Sequence, residues 1–175
     1  MPPSSELTST PPALAETAPS GGEAQAKEAL GRSQGGVSTK LHLRAEGGGK
    51  PIVAVLTGGE RHEQIALEAV LDGGAIRRPG RGRPRLRPRR VAGDKGYSSP
   101  TARRRLRRRG IRPVIPTKSN EPRQPDFDRV AYRRRNLIER LINRLKQARR
   151  IATRYEKRAA NYLAMIQIGM ILLWL

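Results

Sequence analysis

The stretch that most restricts the fold is residues 132–146, YRRRNLIERLINRLK. At 100° per residue, Leu137, Leu141, Leu145 and Ala148 share one side of a helix. Tyr132, Arg135, Glu139 and Lys146 fall within about 60° of one another on a different side. An amphipathic helix of this length needs a surface to cover its apolar stripe, so the chain has to build a layered core around it. The other side presents one carboxylate, Glu139, among many cations. Two readings stand side by side: an i, i+4 pair of Arg135 and Glu139 on a solvated face, or a carboxylate that carries a metal ion to phosphates.

The elements before this helix follow from periodicity and punctuation. In residues 37–45, Val37, Thr39, Leu41 and Leu43 alternate with Ser38, Lys40, His42 and Arg44, which predicts a half-buried strand. Gly47, Gly48 and Gly49 supply a turn, and PIVAVL at 51–56 completes a β-hairpin. Residues 62–71 are expected to form a helix that Gly73 and Gly74 stop. RVAG at 90–93 reads as a short strand that delivers Asp94 to its C-terminal edge, where open α/β sheets place their sites. Ser98, Ser99 and Pro100 start a basic helix over 101–109, ended by Gly110. IRPVIP at 111–116 is a third strand, and its prolines predict an edge position. Residues 117–128 are a polar loop; helices are expected over 129–150 and 155–174. The order is hairpin, helix, strand, helix, strand, helix, helix, an α/β class.

Residues 1–31 are rich in Pro, Ser, Thr, Ala and Gly and hold almost no bulky apolar side chain. Such a segment cannot offset its ordering entropy, so a disordered tail is expected there, with one domain over 32–175. The C-terminal apolar run, 162–175, is 14 residues long. A membrane span needs roughly 20, so the run is expected to be a buried core helix and no membrane is expected as a partner.

Charge narrows the partners. The net charge is +21, and it is concentrated. Residues 77–112 carry 15 Arg and one Lys against one Asp, and 129–158 carry 12 bases against two acids. Such an excess calls for a polyanion, with nucleic acid foremost. Residues 77–90, RRPGRGRPRLRPRR, read either as a solvated linker or as an arm tracking a phosphate backbone. Aromatic residues make up only 3% of the chain, which leaves few stacking platforms for single strands or RNA. There is no cysteine, which removes disulfides and thiolate metal sites and fits a cytoplasmic protein.

Asp94 and Glu139 thus stand nearly alone within the two strongly basic segments. Carboxylates in positive potential suit metal-assisted phosphoryl chemistry: Mg²⁺ takes hard oxygen ligands, and a pair of ions can activate the attacking oxygen and stabilise the leaving one. Enzymes of this kind use more than two carboxylates as a rule.

The spacing Tyr132-x2-Arg135-x3-Glu139-x6-Lys146 resembles the signature of bacterial insertion-sequence transposases with a DDE catalytic domain. GRSQGGVSTKLHL at 31–43, LTGGERHE at 56–63, AGDKGY at 92–97, IRPVIPTKSN at 111–120 and RRIATRYEK at 149–157 are similar to the same family, in the same order. The resemblance implies an RNase H-like fold. It implies DNA strand cleavage and strand transfer at element ends with Mg²⁺ or Mn²⁺ held by Asp94 and Glu139, the second and third catalytic carboxylates. It implies DNA contacts from Tyr132, Arg135 and Lys146, to which the basic helix adds Arg103, Arg104 and Arg107 as candidates. His62 matches a family position with no assigned role. Partners would be duplex DNA at the element ends and target, further copies of the chain on that DNA, and the product of an upstream reading frame; the setting would be the bacterial nucleoid.

One departure follows. The family's first catalytic Asp lies on a strand before the GRS-GG segment, and residues 1–29 hold no Asp. The expectation is therefore an incomplete fold whose central first strand is missing, as in a truncated or partial chain. A nonspecific DNA-binding remnant without catalysis is the alternative.

Overall fold

The structure is a computed structural model that describes residues 5–10, 13–14, 27–33, 36–74, 81–83 and 87–175. Its main sheet is mixed. The strands are β1 (Ser5–Thr10), β3 (Gly31–Ser33), β4 (Gly36–Ala45), β5 (Pro51–Gly58), β6 (Arg90–Gly93) and β7 (Arg112–Val114). The path β4-β1-β6-β7 runs through its centre, and β3 and β5 both pair with β4. β4 lies antiparallel to β1 and β5, whereas β1, β6 and β7 are parallel. A separate pair joins β2 (Ala13–Leu14) to β8 (Thr153–Arg154).

β1 corrects the expectation of a missing central strand. It sits between β4 and β6, with Leu7 opposite Arg44 on one side and Gly93 on the other. The hairpin and the Asp94 strand therefore share a partner, and the backbone groups that would otherwise face an open edge are paired. The parts of the expected disordered tail at 1–4, 11–12 and 15–26, and half of the 77–90 arm (77–80 and 84–86), lie outside the described residues.

The helices are α1 (Glu63–Asp72), α2 (Pro100–Arg108), α3 (Arg129–Arg133), α4 (Asn136–Lys146), α5 (Arg149–Ala152) and α6 (Ala159–Leu172). Local chemistry sets several ends. Ser99 Oγ accepts from the Ala102 N–H at 3.0 Å, with Pro100 in the first turn, as the sequence leads one to expect. Asp128 Oδ1 caps α3 through the Ala131 N–H at 2.8 Å. In the β4–β5 turn Gly49 takes φ +87°, a left-handed value suited to glycine, while the Glu46 carboxylate accepts from the Gly48 and Lys50 N–H groups.

Among the described residues, two helices cover the sheet from one side and four from the other. α1 and α2 bury Ala66, Leu67, Val70, Leu71, Ala102 and Leu106 against Val91 and Tyr97. On the opposite face α4, α5 and α6 cover Leu41, Leu43 and Ala45 with Ile138, Leu141, Leu145, Ile151, Tyr162 and Ile166. Strand β4 is thus buried on both faces, not one: His42 and Arg44, on its polar side, are covered. Arg44 donates to the carbonyls of Leu71 and Gly73 at 2.9 and 3.1 Å, and so satisfies the C-terminal end of α1.

Two further expectations shift. The single helix over 129–150 is three, because the chain tightens at Arg134 and Arg135, where Leu137 N–H bonds Arg134 and not the residue a full turn back, and again at Gln147 and Ala148, which bond Arg144 and Leu145 before Ala148 turns extended. Its buried stripe is Ile138, Leu141, Ile142 and Leu145; Leu137 is half-buried and Ala148 exposed. α6 buries Tyr162, Ile166 and Met170 but leaves Ile168, Ile171 and Leu172 in solvent, so it is a half-covered helix and not a core one. Among the described residues no helix is long and apolar enough to cross a membrane.

Candidate active site

Asp94 follows β6 directly, at the C-terminal edge of the parallel strands β1, β6 and β7. Its backbone is extended, and its Oδ1 accepts from the Gly96 N–H at 2.9 Å, which caps a 3₁₀ turn over Lys95–Tyr97. Partial burial raises its pKa above the usual carboxylate range, and the nearby Glu63 adds to the rise; the Gly96 N–H and Arg135 act against it.

Glu63, at the start of α1, is a neighbour that sequence reasoning passed over. A Cβ on Gly96 would stand 2.9 Å from the Glu63 carboxyl carbon and 3.0 Å from Asp94 Oδ1, so the two carboxylates converge on this glycine. Burial alone would raise the Glu63 pKa. The Lys40 ammonium, 2.9 Å from its Oε1, outweighs that together with backbone and His62 contributions, and the net direction is down. Lys40 also donates to the Arg61 carbonyl at 2.8 Å. The motif LTGGERHE held the signal, but it drew attention to His62. That histidine is the N-cap of α1, with Nδ1 accepting from the Gln64 N–H at 3.3 Å.

Behind Asp94 the 3₁₀ turn is pinned from below. Buried Tyr97 shares a 2.9 Å hydrogen bond with His42 Nδ1, and His42 Nε2 lies 2.8 Å from Thr57 Oγ1. Burial, helped by Lys40 and opposed by Glu63, lowers the His42 pKa to about 4, so the ring is neutral near pH 7. Burial likewise drives the Tyr97 hydroxyl pKa up.

On the opposite face of the sheet, Tyr132, Arg135 and Glu139 form one chain of contacts. Phe127 and Tyr132 pack with ring centres 5.3 Å apart, the Arg135 guanidinium lies 5.6 Å from the Tyr132 ring, and Arg135 is ion-paired with Glu139. The i, i+4 pair foreseen from the sequence is therefore formed, and the same Arg135 is close enough to Asp94 to lower its pKa. Arg135 is thus ion-paired with Glu139, and its charge also acts on Asp94. Lys146 lies seven residues beyond Glu139 on the same helix, roughly 10 Å along the axis.

The basic helix α2 divides its arginines. Arg103, expected to touch DNA, is buried and committed inside the protein: it donates to Ser98 Oγ, to the Pro116 carbonyl at 3.2 Å and to Glu121 Oε2 at 2.9 Å. Arg104 and Arg107 are exposed.

A divalent ion needs several hard oxygen donors. Among the described residues no three His, Cys, Asp or Glu side chains come together to hold one. Glu139 is tied to Arg135 and Glu63 to Lys40. β1 pairs with β6 as far as Leu7 opposite Gly93, the residue before Asp94, and the residue that follows Leu7 in β1 is Thr8, not an acid. The donor set in place falls short of a divalent-ion site.

This sheet, with an acid at the end of its parallel strands and a second on a flanking helix, belongs with a known family. Residues 13–175 match the family described as Transposase DDE domain, and the chain belongs to it. A relative from Burkholderia cepacia, the putative transposase for insertion sequence element IS402, is 34% identical over 131 residues. That alignment takes in 75% of this chain and 60% of the relative, so the chain spans about 60% of the length of the curated relative it matches.

Proposed function

We propose that the chain serves DNA transposition at insertion-sequence ends, as the DNA-binding body of an RNase H-like DDE catalytic domain of the Tyr-Arg-Glu-Lys signature class. Asp94 and Glu139 are two of its catalytic carboxylates. The observation that supports the assignment is Asp94 at the C-terminal end of the parallel strands, with Arg135 ion-paired to Glu139 on the flanking helix and its charge acting on Asp94. Phosphodiester binding there needs such a cation beside the acids. In this family Mg²⁺ or Mn²⁺ would supply the activation of the attacking oxygen; Asp94 and Glu139 would help to hold it only together with a carboxylate that the described residues do not bring to them.

A second reading has its own observation. The family resemblance assigns the first carboxylate to a strand before the GRS-GG segment. β1 is that strand, and its six residues, SELTST, hold no Asp. The chain alone then binds duplex DNA without cutting it, and completes a site only with a carboxylate from elsewhere. A strand-cleavage assay separates the two, using the purified chain, Mg²⁺ or Mn²⁺ and a duplex carrying the element end. The expected outcome is binding without cleavage. Robust cleavage by the wild type, abolished in Glu139→Gln and in Asp94→Asn, would overturn the second reading and leave the first intact.

A further inference from the structure

The arginines of α2 and of the loop after β7 fall into two groups that their sequence runs do not distinguish. Those turned toward α1 and the loop base are neutralised. Arg103 pairs with Glu121, Arg105 lies 3.9 Å from Glu68, and Arg109 pairs with Glu68 at 2.7 Å and with Asp72. Arg104, Arg107 and Arg108, at i, i+3 and i+4 on the outer side, are exposed and make no ion pair among the described residues.

The outer group continues around the edge of the sheet. One cleft is lined by Arg104, Arg107 and Arg108 with Glu121 and Gln124; the next by Arg107 and Arg112 with Gln124 and Asp126; a third by Arg123 and Arg129 with Gln124 and Phe127. Gln124 borders all three, so they form one surface, and its Nε2 bonds the Ile115 carbonyl at 2.9 Å, which fastens the loop to the end of β7. Asp126 subtracts from the charge on this surface, whereas Glu121 is already neutralised by Arg103. The surface leads toward the site: Phe127 packs on Tyr132, which carries Arg135.

We propose that this arginine edge, formed by Arg104, Arg107, Arg108, Arg112, Arg123 and Arg129, holds the phosphate backbone of the duplex that flanks the reacting strand at Asp94 and Arg135. The inference rests on the transposase reading above and gives it a surface. Exposed guanidinium groups lining adjoining clefts suit phosphate oxygens. Phe127, the aromatic residue lining the clefts, is half-buried and packs its ring on Tyr132, and one such ring is a poor platform for a run of unpaired bases. Backbone contacts of this kind fix position without reading sequence.

The test is the salt dependence of binding to a fluorescent duplex, measured for the full chain. Each phosphate contact contributes about 0.9 to the slope of log affinity against log salt, so Arg104→Gln/Arg107→Gln/Arg108→Gln should flatten that slope by about 2.7. From about 50 to about 200 mM salt the wild type should then lose about 40-fold more affinity than the variant. These side chains are exposed, so the variant should keep the wild-type circular dichroism and melting temperature. A control, Arg140→Gln/Arg144→Gln/Arg158→Gln, removes as many exposed arginines away from this edge and should leave the slope nearly unchanged. Duplex binding by the wild type with an unaltered slope in the α2 variant, or an equal flattening in the control, would overturn the surface while sparing the transposase reading. Tighter binding to a single strand than to the duplex would overturn the phosphate-edge account as well. Failure of the wild type to bind either would remove the transposase reading and this surface with it.

Discussion

His42 is the group whose removal tests the architecture beneath Asp94. It is fully buried, hydrogen-bonded to Tyr97 and Thr57, and its pKa is lowered from 6.5 to about 4, chiefly by burial. A depressed histidine stabilises the fold while it stays neutral. Above pH 6.5 that contribution is present in full; as pH falls toward 4, the unfolded chain takes up a proton that the folded chain refuses, and stability is lost. Between about pH 7.5 and pH 4.5 the loss from this one group is about 2.5 kcal/mol. His42→Gln keeps a group able to bond Tyr97 and Thr57 but cannot titrate. The variant should be less stable than the wild type near neutral pH, by about 1–2 kcal/mol for an imperfect fit. Its further loss on going to pH 4.5 should be smaller than that of the wild type by about 2.5 kcal/mol. Urea denaturation followed by circular dichroism at the two pH values measures both. Parallel losses in the two proteins, within about 0.5 kcal/mol, would refute the reasoning, because a solvated or charged His42 would then have to be admitted.

Two other substitutions address the surroundings. Arg103→Ala should destabilise by about 3–5 kcal/mol, since it strands Glu121 in a mostly covered position, whereas Arg104→Ala next to it should stay within about 0.5 kcal/mol; thermal unfolding decides. Gly96→Ala should cost about 1–3 kcal/mol because the new methyl meets the Glu63 carboxyl group and Asp94 Oδ1, and Gly96→Ala/Glu63→Ala should recover part of that; equal stability of Gly96→Ala and the wild type would show that the two acids do not converge there.

What the chain declares in its sequence is the part governed by near neighbours. β5, β6, α1 and α2 follow from alternation, glycine punctuation and a Ser-Pro start, and their observed bounds lie within two residues of expectation. β1 was illegible because SELTST carries only one bulky apolar residue; it is a strand by virtue of ladders on both sides, a property of the assembled sheet. The polar side of β4 looked solvated for a similar reason. Nothing local announces that His42 will meet Tyr97, or that Arg44 will cap α1 from across the sheet. Arg103 and Arg104 are adjacent and chemically identical, and only the position of Glu121 separates a structural strap from an open cation. Of the candidate site, a strand end offered Asp94 and helical spacing offered Glu139 and Arg135, while Glu63 reaches Asp94 only through packing of α1 against the 3₁₀ turn.

Thr8 follows Leu7, which pairs with Gly93 just before Asp94, and this makes the central claim testable through metal binding and not through activity. Mn²⁺ binding measured by titration calorimetry on the wild type, Thr8→Asp and Thr8→Asp/Asp94→Asn asks whether the site lacks one carboxylate and whether β1 is where it belongs. The account expects no saturable site in the wild type, a site in Thr8→Asp, and its loss in the double variant. Tight Mn²⁺ binding by the wild type that depends on Asp94, or a Thr8→Asp chain that folds like the wild type and gains no site, would contradict it.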